Sequence, residues 1–241
     1  MTDKSPYDVI VVGAGIAGSE VAMRCAQAGM DTLLVTTSLD SIYNLAENEV
    51  ELLPPEQTLL SMLYRRVADD RGKVKNWPLH CAVKYALEQQ PKIHLLQATV
   101  SSLKVLNGVV IGVTTWEGVE RLGRTVVLSV GSFLNARLTA GQLVEDAGRL
   151  GEMAYDDLFQ HLVSLGFVFE EISLRTEGEE DSLPYRVDCM VLAEAEMQRG
   201  TFALSRVGNL YAVGVCRAGY LSYEAAALQG FELAGELIAG R

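Results

Sequence analysis

The sequence predicts an α/β protein, with a three-layer Rossmann-like fold: a central parallel sheet, an antiparallel β-meander and a small α/β appendage. Three observations carry that expectation. Gly13-Ala14-Gly15-Ile16-Ala17-Gly18 is a G-x-G-x-x-G lying between the β-branched run Asp8 to Val12 and a helix-forming stretch. A second strand-like run, Thr32 to Thr36, follows at the spacing of a βαβ unit. Asn107-Gly108, a strong hairpin signal, then separates two short β-rich runs.

Composition bounds the answer. A chain of 241 residues that is 49% hydrophobic and 21% charged can bury the core of one sizeable domain, or of one domain with an appendage. Its longest apolar candidate, Val9 to Ala28, is interrupted by Ser19, Glu20 and Arg24, so no membrane span is expected. Asp3 and Asp8 beside Lys4 do not make a signal peptide, and a cytoplasmic protein is expected. With 31 acidic residues against 20 basic ones, the net charge of -11 disfavours autonomous binding to a phosphate backbone. Cys25, Cys81, Cys189 and Cys216 form no CxxC pair, and His80, His94 and His161 complete no ligand cluster, so neither disulfide framework nor structural metal is expected.

The elements follow in order. Asp8 to Val12 reads as a strand buried on both faces, Ile16 to Ala28 as a helix ended by Gly29, and Thr32 to Thr36 as the second strand. Between Ser38 and Lys75 the pattern weakens into an insertion over the sheet, with a helix from Glu56 to Asp70 after Pro54-Pro55. Pro78 suits the first turn of a helix whose stripe is Leu79, Val83, Ala86 and Leu87 and which ends before Pro91. A strand from His94 to Val100 follows. Ser102 to Leu106, Val109 to Trp116 and Arg124 to Val130 form the meander and the strand that returns to the main sheet. Asp156 to Leu165 reads as a helix ended by Gly166, and Glu177 to Asp181 as an acidic exposed linker. The chain closes with a strand, Leu210 to Val215, and a helix from Ser222 to Ala239. These elements divide into residues 1–135 plus 206–241, which carry the cofactor, and an appended segment, 136–205.

In the glycine loop, the first glycine permits the tight turn, the second lets a pyrophosphate approach the backbone, and the third lets helix and strand pack closely. The helix N-terminus adds N–H donors and a positive dipole end. The acidic residue that would hold an adenosine ribose about 20 residues on is replaced by Thr36, Thr37 and Ser38, whose hydroxyls can take that role, with Asp40 as a substitute. A simple NAD-dependent dehydrogenase would continue with further βα units. Here a meander and a return strand ending Ser129-Val130-Gly131 follow, an order that resembles the FAD domain of glutathione-reductase-like flavoproteins. A second glycine loop for NAD(P)H is absent, so NAD(P)H is expected only as a transient reductant.

Four segments resemble the glucose-inhibited division protein A family, whose members are flavoprotein subunits of a tRNA wobble-uridine modification enzyme. They are the N-terminal unit ending Leu33-Leu34-Val35-Thr36, Ala86-Leu87-Glu88-Gln89-Gln90-Pro91 with the strand after it, Val126-Val127-Leu128-Ser129-Val130-Gly131-Ser132-Phe133-Leu134, and Tyr223-Glu224-Ala225-Ala226-Ala227-Leu228-Gln229-Gly230. Gly148-Arg149 and the helix running to Gly166-Phe167 are similar to that family too, as is the neutral Thr36. The resemblance implies FAD as cofactor, with Gly131 and Ser132 beside it and the C-terminal helix, opened by Ser222 and Tyr223, aimed at the flavin. Thr99, Val100, Gly214 and Cys216 complete the cofactor-binding set it implies.

In this family a glycine-rich segment with a reactive cysteine follows the second strand, where this chain reads Ile42-Tyr43-Asn44-Leu45-Ala46-Glu47-Asn48. The family's inserted domain and helical tRNA-binding region are expected to be missing. The expectation is an FAD-dependent oxidoreductase without that region; the alternative is a non-catalytic flavin-binding subunit that works with a protein partner or as a homo-oligomer. Cys216 is expected either at the flavin or as a small core residue, and Cys25 and Cys81 in the core. The three histidines are expected at the surface or capped. Core packing is expected for Trp77 and Tyr85, while Tyr220 and Tyr223 are candidates to stack on a ring. Arg149 and Arg217 are candidates to anchor an anion.

Overall fold

A computed structural model of the protein describes residues 5–177 and 183–241, so residues 178–182 of the acidic linker lie outside the described residues. The first half contains β1 (Tyr7–Val12), α1 (Ile16–Gln27), β2 (Thr32–Thr36), β3 (Glu49–Glu51), α2 (Leu59–Val67), β4 (Lys73–Lys75), α3 (Asn76–Glu88) and β5 (Ile93–Gln97). The meander is β6 (Val100–Leu106), β7 (Val109–Thr115) and β8 (Glu120–Leu128). Next come β9 (Arg137–Ala140), β10 (Leu143–Glu145), β11 (Ala147–Arg149), β12 (Glu152–Met153), α4 (Asp156–Ser164), β13 (Phe169–Arg175) and β14 (Arg186–Leu192). The chain closes with β15 (Leu210–Ala212), α5 (Val215–Ala218) and α6 (Tyr223–Ala239).

β5, β2, β1, β8 and β15 form the parallel sheet in that order. β8 belongs to two systems. Its first residues pair antiparallel with β7 (Leu122 opposite Gly112), whereas Val126 to Leu128 lie between β1 and β15. Alternate residues of β1 enter two cores. Val9 and Val11 pack beneath α1, α3 and α6, while Ile10 and Val12 pack against the meander and α4. Burial on both faces explains why this strand is continuously apolar rather than alternating. Asn107 and Gly108 both have positive φ, 51° and 78°, which is the two-residue turn that a right-twisted hairpin needs.

The segment 136–205 supplies a four-stranded antiparallel sheet, β10-β9-β14-β13, with its own small core of Leu138, Val187 and Cys189 among others. Leu158 and Leu162 of α4, by contrast, share the core of the main sheet with Val12 and Val126.

Four boundaries differ from expectation. The helix expected over 56–70 is α2, which starts only at Leu59 because Thr58 caps it, accepting from the Ser61 N–H at 3.1 Å. The strand expected over 94–100 is two strands. β5 stops at Gln97, Ala98 donates to the Thr36 carbonyl at the sheet edge, and Val100 already belongs to β6. The last strand ends at Ala212, where Gly214 turns the chain at φ 82° into the short α5. β3 and β4, absent from the expectation, pair across the insertion through Val50 and Val74.

Side-chain burial corrects other expectations. Trp77 and Tyr85 are each 65% exposed, and Cys81 is exposed with them. Leu79, Val83 and Leu87 define the buried stripe of α3, and residues two positions away from a stripe face roughly 200° from it. His80 is buried rather than at the surface, its Nδ1 lying 2.6 Å from the Ile42 carbonyl oxygen. Among the described residues no helix is long and apolar enough to cross a membrane.

Candidate functional site

A cleft of about 530 Å³ opens at the carboxyl ends of β1, β8 and β15, where the glycine loop, residues 129–133 and Gly214 converge. This is the place where open parallel sheets present ligand sites, because the strand ends leave a crevice rimmed by helix N-termini.

Each glycine of the loop has a distinct physical job. A Cβ on Gly13, whose φ is 103°, would lie 2.2 Å from the Ser129 carbonyl oxygen, so this residue allows β1 to turn against the end of β8. A Cβ on Gly18 would lie 2.0 Å from the Gly13 oxygen and 3.0 Å from Ser129 Oγ, so this one lets α1 close on the strand. A Cβ on Gly15 would meet nothing within 4 Å. The space above Gly15 is open and faces the cleft, and the first turn of α1 directs N–H donors into it.

Of the residues expected at the cofactor, Gly13, Ala14, Gly15, Ile16, Ala17, Thr36, Thr37, Gly131, Ser132, Gly214, Ser222 and Tyr223 line this cleft. Gly18, Ser38, Thr99, Val100 and Cys216 do not. Ser38 instead caps a short 3₁₀ turn, accepting from the Asp40 N–H. Val100 is buried in the meander core, and the Thr99 carbonyl accepts from the Trp116 N–H. Cys216 is fully buried, with its Sγ 3.5 Å from the Val213 oxygen and 3.6 Å from that of Leu128, and burial pushes its thiol up to about 11. The expectation of Cys216 at the flavin is thereby corrected: the turn of α5 directs it into the core, and Val215 lines the cleft instead.

The other end of the cleft is built by elements far apart in the chain. Ser132 Oγ donates to the Gly148 carbonyl at 2.9 Å, and Phe133 sits so close to Gly148 that a Cβ there would meet its ring at 2.4 Å. Arg149 donates to the Asn44 carbonyl at 2.9 Å and lies 3.9 Å from Glu152, whose carboxyl is raised by burial against the opposing pull of Arg149. Tyr155 hydrogen-bonds Thr37, and burial pushes its hydroxyl up to about 12. Tyr223 opens α6 and receives the Ala46 N–H at 2.8 Å while donating to Glu47. Tyr220 lines the mouth and is 80% exposed. Arg217 lies elsewhere, over the Phe202 ring with its Nη2 on the Thr201 carbonyl.

Sequence reasoning missed Glu47, Val50 and Leu52 from the insertion, Leu174 and Arg175 from β13, and Tyr185 just before β14. The break at Pro54-Pro55 marked the insertion, but nothing local marked which of its residues face the cleft. The cleft thus has a donor-rich, glycine-lined end and a second end of mixed charge bearing tyrosines.

Known proteins resemble this chain in sequence and in fold. The family model described as Glucose inhibited division protein A matches residues 8–50 and 65–178. The tRNA uridine 5-carboxymethylaminomethyl modification enzyme MnmG of Chlamydia caviae is 35% identical over 195 residues, covering 70% of this chain and 32% of that protein. Its counterpart in Chlamydia trachomatis serovar D is 36% identical over 213 residues, 78% of this chain and 35% of that protein. The chain therefore spans about a third of the length of these curated relatives. Among solved structures, the GidA-related protein from Thermus thermophilus superposes with a TM-score of 0.88 at 37% identity, covering 98% of this chain and 100% of the other. A thioredoxin reductase from Gloeobacter violaceus, at 16% identity and a TM-score of 0.55, covers 98% of this chain and 94% of its own, and shares the fold. The chain belongs to the glucose inhibited division protein A family.

Proposed function

We propose that the chain binds FAD along this cleft and acts as an FAD-dependent oxidoreductase related to the tRNA uridine-modifying relatives. The observation that carries the reading is the open space over Gly15, set at the N-terminus of α1 between two glycines that cannot hold a Cβ. In this reading residues 1–135 and 206–241 hold FAD and residues 136–205 are appended to them. Gly13 to Ala17 would take the pyrophosphate on backbone N–H groups, and Thr36 and Thr37 the adenosine ribose. Gly131, Ser132, Gly214, Ser222 and Tyr223 would border the ring system, with the positive end of α6 favouring negative charge there. FAD, when bound, supplies a two-electron acceptor and donor. NAD(P)H is then a transient reductant, since no second glycine loop of this kind accompanies the first.

A second reading is favoured by one observation: among the described residues no cysteine lines the cleft. In that reading the chain is a flavin-binding subunit and a protein partner or a second copy supplies the substrate groups. Two measurements separate the possibilities. Cofactor released from purified protein by heat and resolved by chromatography is expected to be FAD, and recovery of NAD, or failure to take up added FAD, overturns the proposal. Repeated turnover with NAD(P)H and an electron acceptor by the isolated protein overturns the subunit reading.

A further inference from the structure

The segment from Asn44 to Glu56 forms one wall of the cleft, and we infer that it is a hinged strap, latched by Tyr223, that traps the dinucleotide. This rests on the FAD reading above. Both ends of the segment sit next to non-glycine residues in the left-handed region, Tyr43 at φ 55° and Gln57 at φ 67°. Such backbone is uncommon outside glycine and marks places where the chain reverses sharply. Beyond each turn stands a fixed post. Tyr43 is fully buried, donates from its hydroxyl to Glu20 at 2.9 Å and from its N–H to the Ala14 carbonyl at 2.9 Å. On the other side, Thr58 is buried, donates to the Pro55 carbonyl at 2.7 Å and caps α2.

The span between the posts has few apolar anchors, and its ties to the near side are polar: Asn76 accepts the Leu45 N–H and donates from its amide to Asn44 and from its backbone to the Asn48 carbonyl, Arg149 donates to the Asn44 carbonyl, and Lys73 pairs with Glu49. Only Leu45 and Leu52 within it are buried, and its one regular element, β3, pairs with β4 over three residues. Segments with so little apolar burial open at low free energy while the fold around them stays intact. Its inner side presents Ala46, Glu47, Val50 and Leu52 to the cleft. Its hold on the far wall comes from the first turn of α6. Tyr223 accepts the Ala46 N–H and donates to Glu47, and Glu224 accepts the Leu53 N–H at 3.1 Å. One tyrosine hydroxyl thus closes two contacts between the strap and the helix that borders the proposed flavin position.

The test uses the purified full chain, Tyr223→Phe and Glu47→Gln, with FAD as the ligand. Glu49, Glu51 and Glu56 lie in the strap, so a glutamate-specific protease reports its opening. Cleavage at these sites is expected to run roughly 5- to 30-fold faster in Tyr223→Phe, the range that the loss of one to two ordinary hydrogen bonds gives. FAD is expected to enter and leave this variant faster by a similar factor, because a latch gates both directions. Glu47→Gln keeps the tyrosine ring and a neutral acceptor but removes the charge, and is expected to move the same rates in the same direction by a smaller factor, which guards against a folding defect in the first variant. Equal protease rates in all three proteins overturn the strap. So does an increase confined to FAD dissociation, which marks Tyr223 as a direct contact only. If the parent chain takes up no FAD, the cofactor reading fails by itself, and the protease comparison on the free protein still decides whether the latch exists.

Discussion

Gly15 and Gly18 are three residues apart in one loop and do opposite work. Gly15 has φ -68°, which any residue can adopt, and open space where a side chain would go. Gly15→Ala is therefore expected to fold with a melting temperature within about 2 °C of the parent, since surface changes cost little, while FAD affinity falls. Gly18→Ala forces a Cβ onto the Gly13 oxygen and is expected to destabilise by about 1–3 kcal/mol, the usual range for overpacking. Thermal denaturation of both variants, with FAD titration of the first, checks the pair. A large stability loss in Gly15→Ala would contradict the assignment of that space to a ligand.

Glu20 is a residue of the same helix with a structural task. Its carboxylate is buried and accepts from the Tyr43 hydroxyl and from the Leu59 and Leu60 N–H groups, tying α1 to the start of α2. Burial outweighs these donors and pushes its carboxyl up to about 6 from 4.5. A carboxyl raised in the fold stabilises it while protonated, so its contribution is present below pH 4.5 and is lost as pH rises through about 6. Relative to Glu20→Gln, which does not titrate, the parent is expected to lose about 2 kcal/mol of unfolding free energy across that window. Urea denaturation of both proteins at pH 4.5 and 6.5 measures it, and parallel profiles would contradict it.

At the scale of elements, the starts of α1, α4 and α6 were well marked and exposure was not. Ser222, expected as the first residue of the last helix, is its cap and accepts the Ala225 N–H at 3.2 Å at the start of α6. Ser222→Ala is expected to cost about 1 kcal/mol, a fall of about 2–4 °C in melting temperature for a chain of this size. Because the cap also orients the proposed flavin end, FAD affinity should fall with it, and calorimetry with and without FAD separates the two effects. Trp77 and Tyr85 read as core because large aromatic residues usually are, yet helical phase overrides composition once Leu79, Val83 and Leu87 have claimed the buried face. The division of residues 94–100 into β5 and β6 was illegible for a different reason. The run is uniformly strand-like, and the break is imposed by the neighbouring strands, through Ala98 bonding Thr36 and Thr99 bonding Trp116.

For the whole molecule, the cleft is a joint between distant parts: the glycine loop, the end of β8, the strap, the β13–β14 pair and α6. A ligand that bridges these parts only in the folded state stabilises all of them at once. With free FAD at about 100 times its dissociation constant, linkage predicts about 2.7 kcal/mol of added stability, and thus roughly 5–10 °C in melting temperature. A thermal shift series against FAD concentration checks this, and a transition that does not respond to FAD would contradict the cofactor reading.

The sequence by itself determined the βα turn, the meander, the glycines that end helices and hence the α/β fold, because each is set by contacts a few residues apart: a glycine that must turn, a pair that must reverse, an apolar stripe that must repeat. It also located the glycine-lined half of the cleft. Only the tertiary structure decided that Cys216 enters the core and that Glu47, Arg149, Tyr155 and Tyr185 line one cleft. Those outcomes depend on how whole elements dock. Docking is fixed by packing among residues far apart in the chain, such as Cys216 and Leu128, of which no local pattern carries a trace.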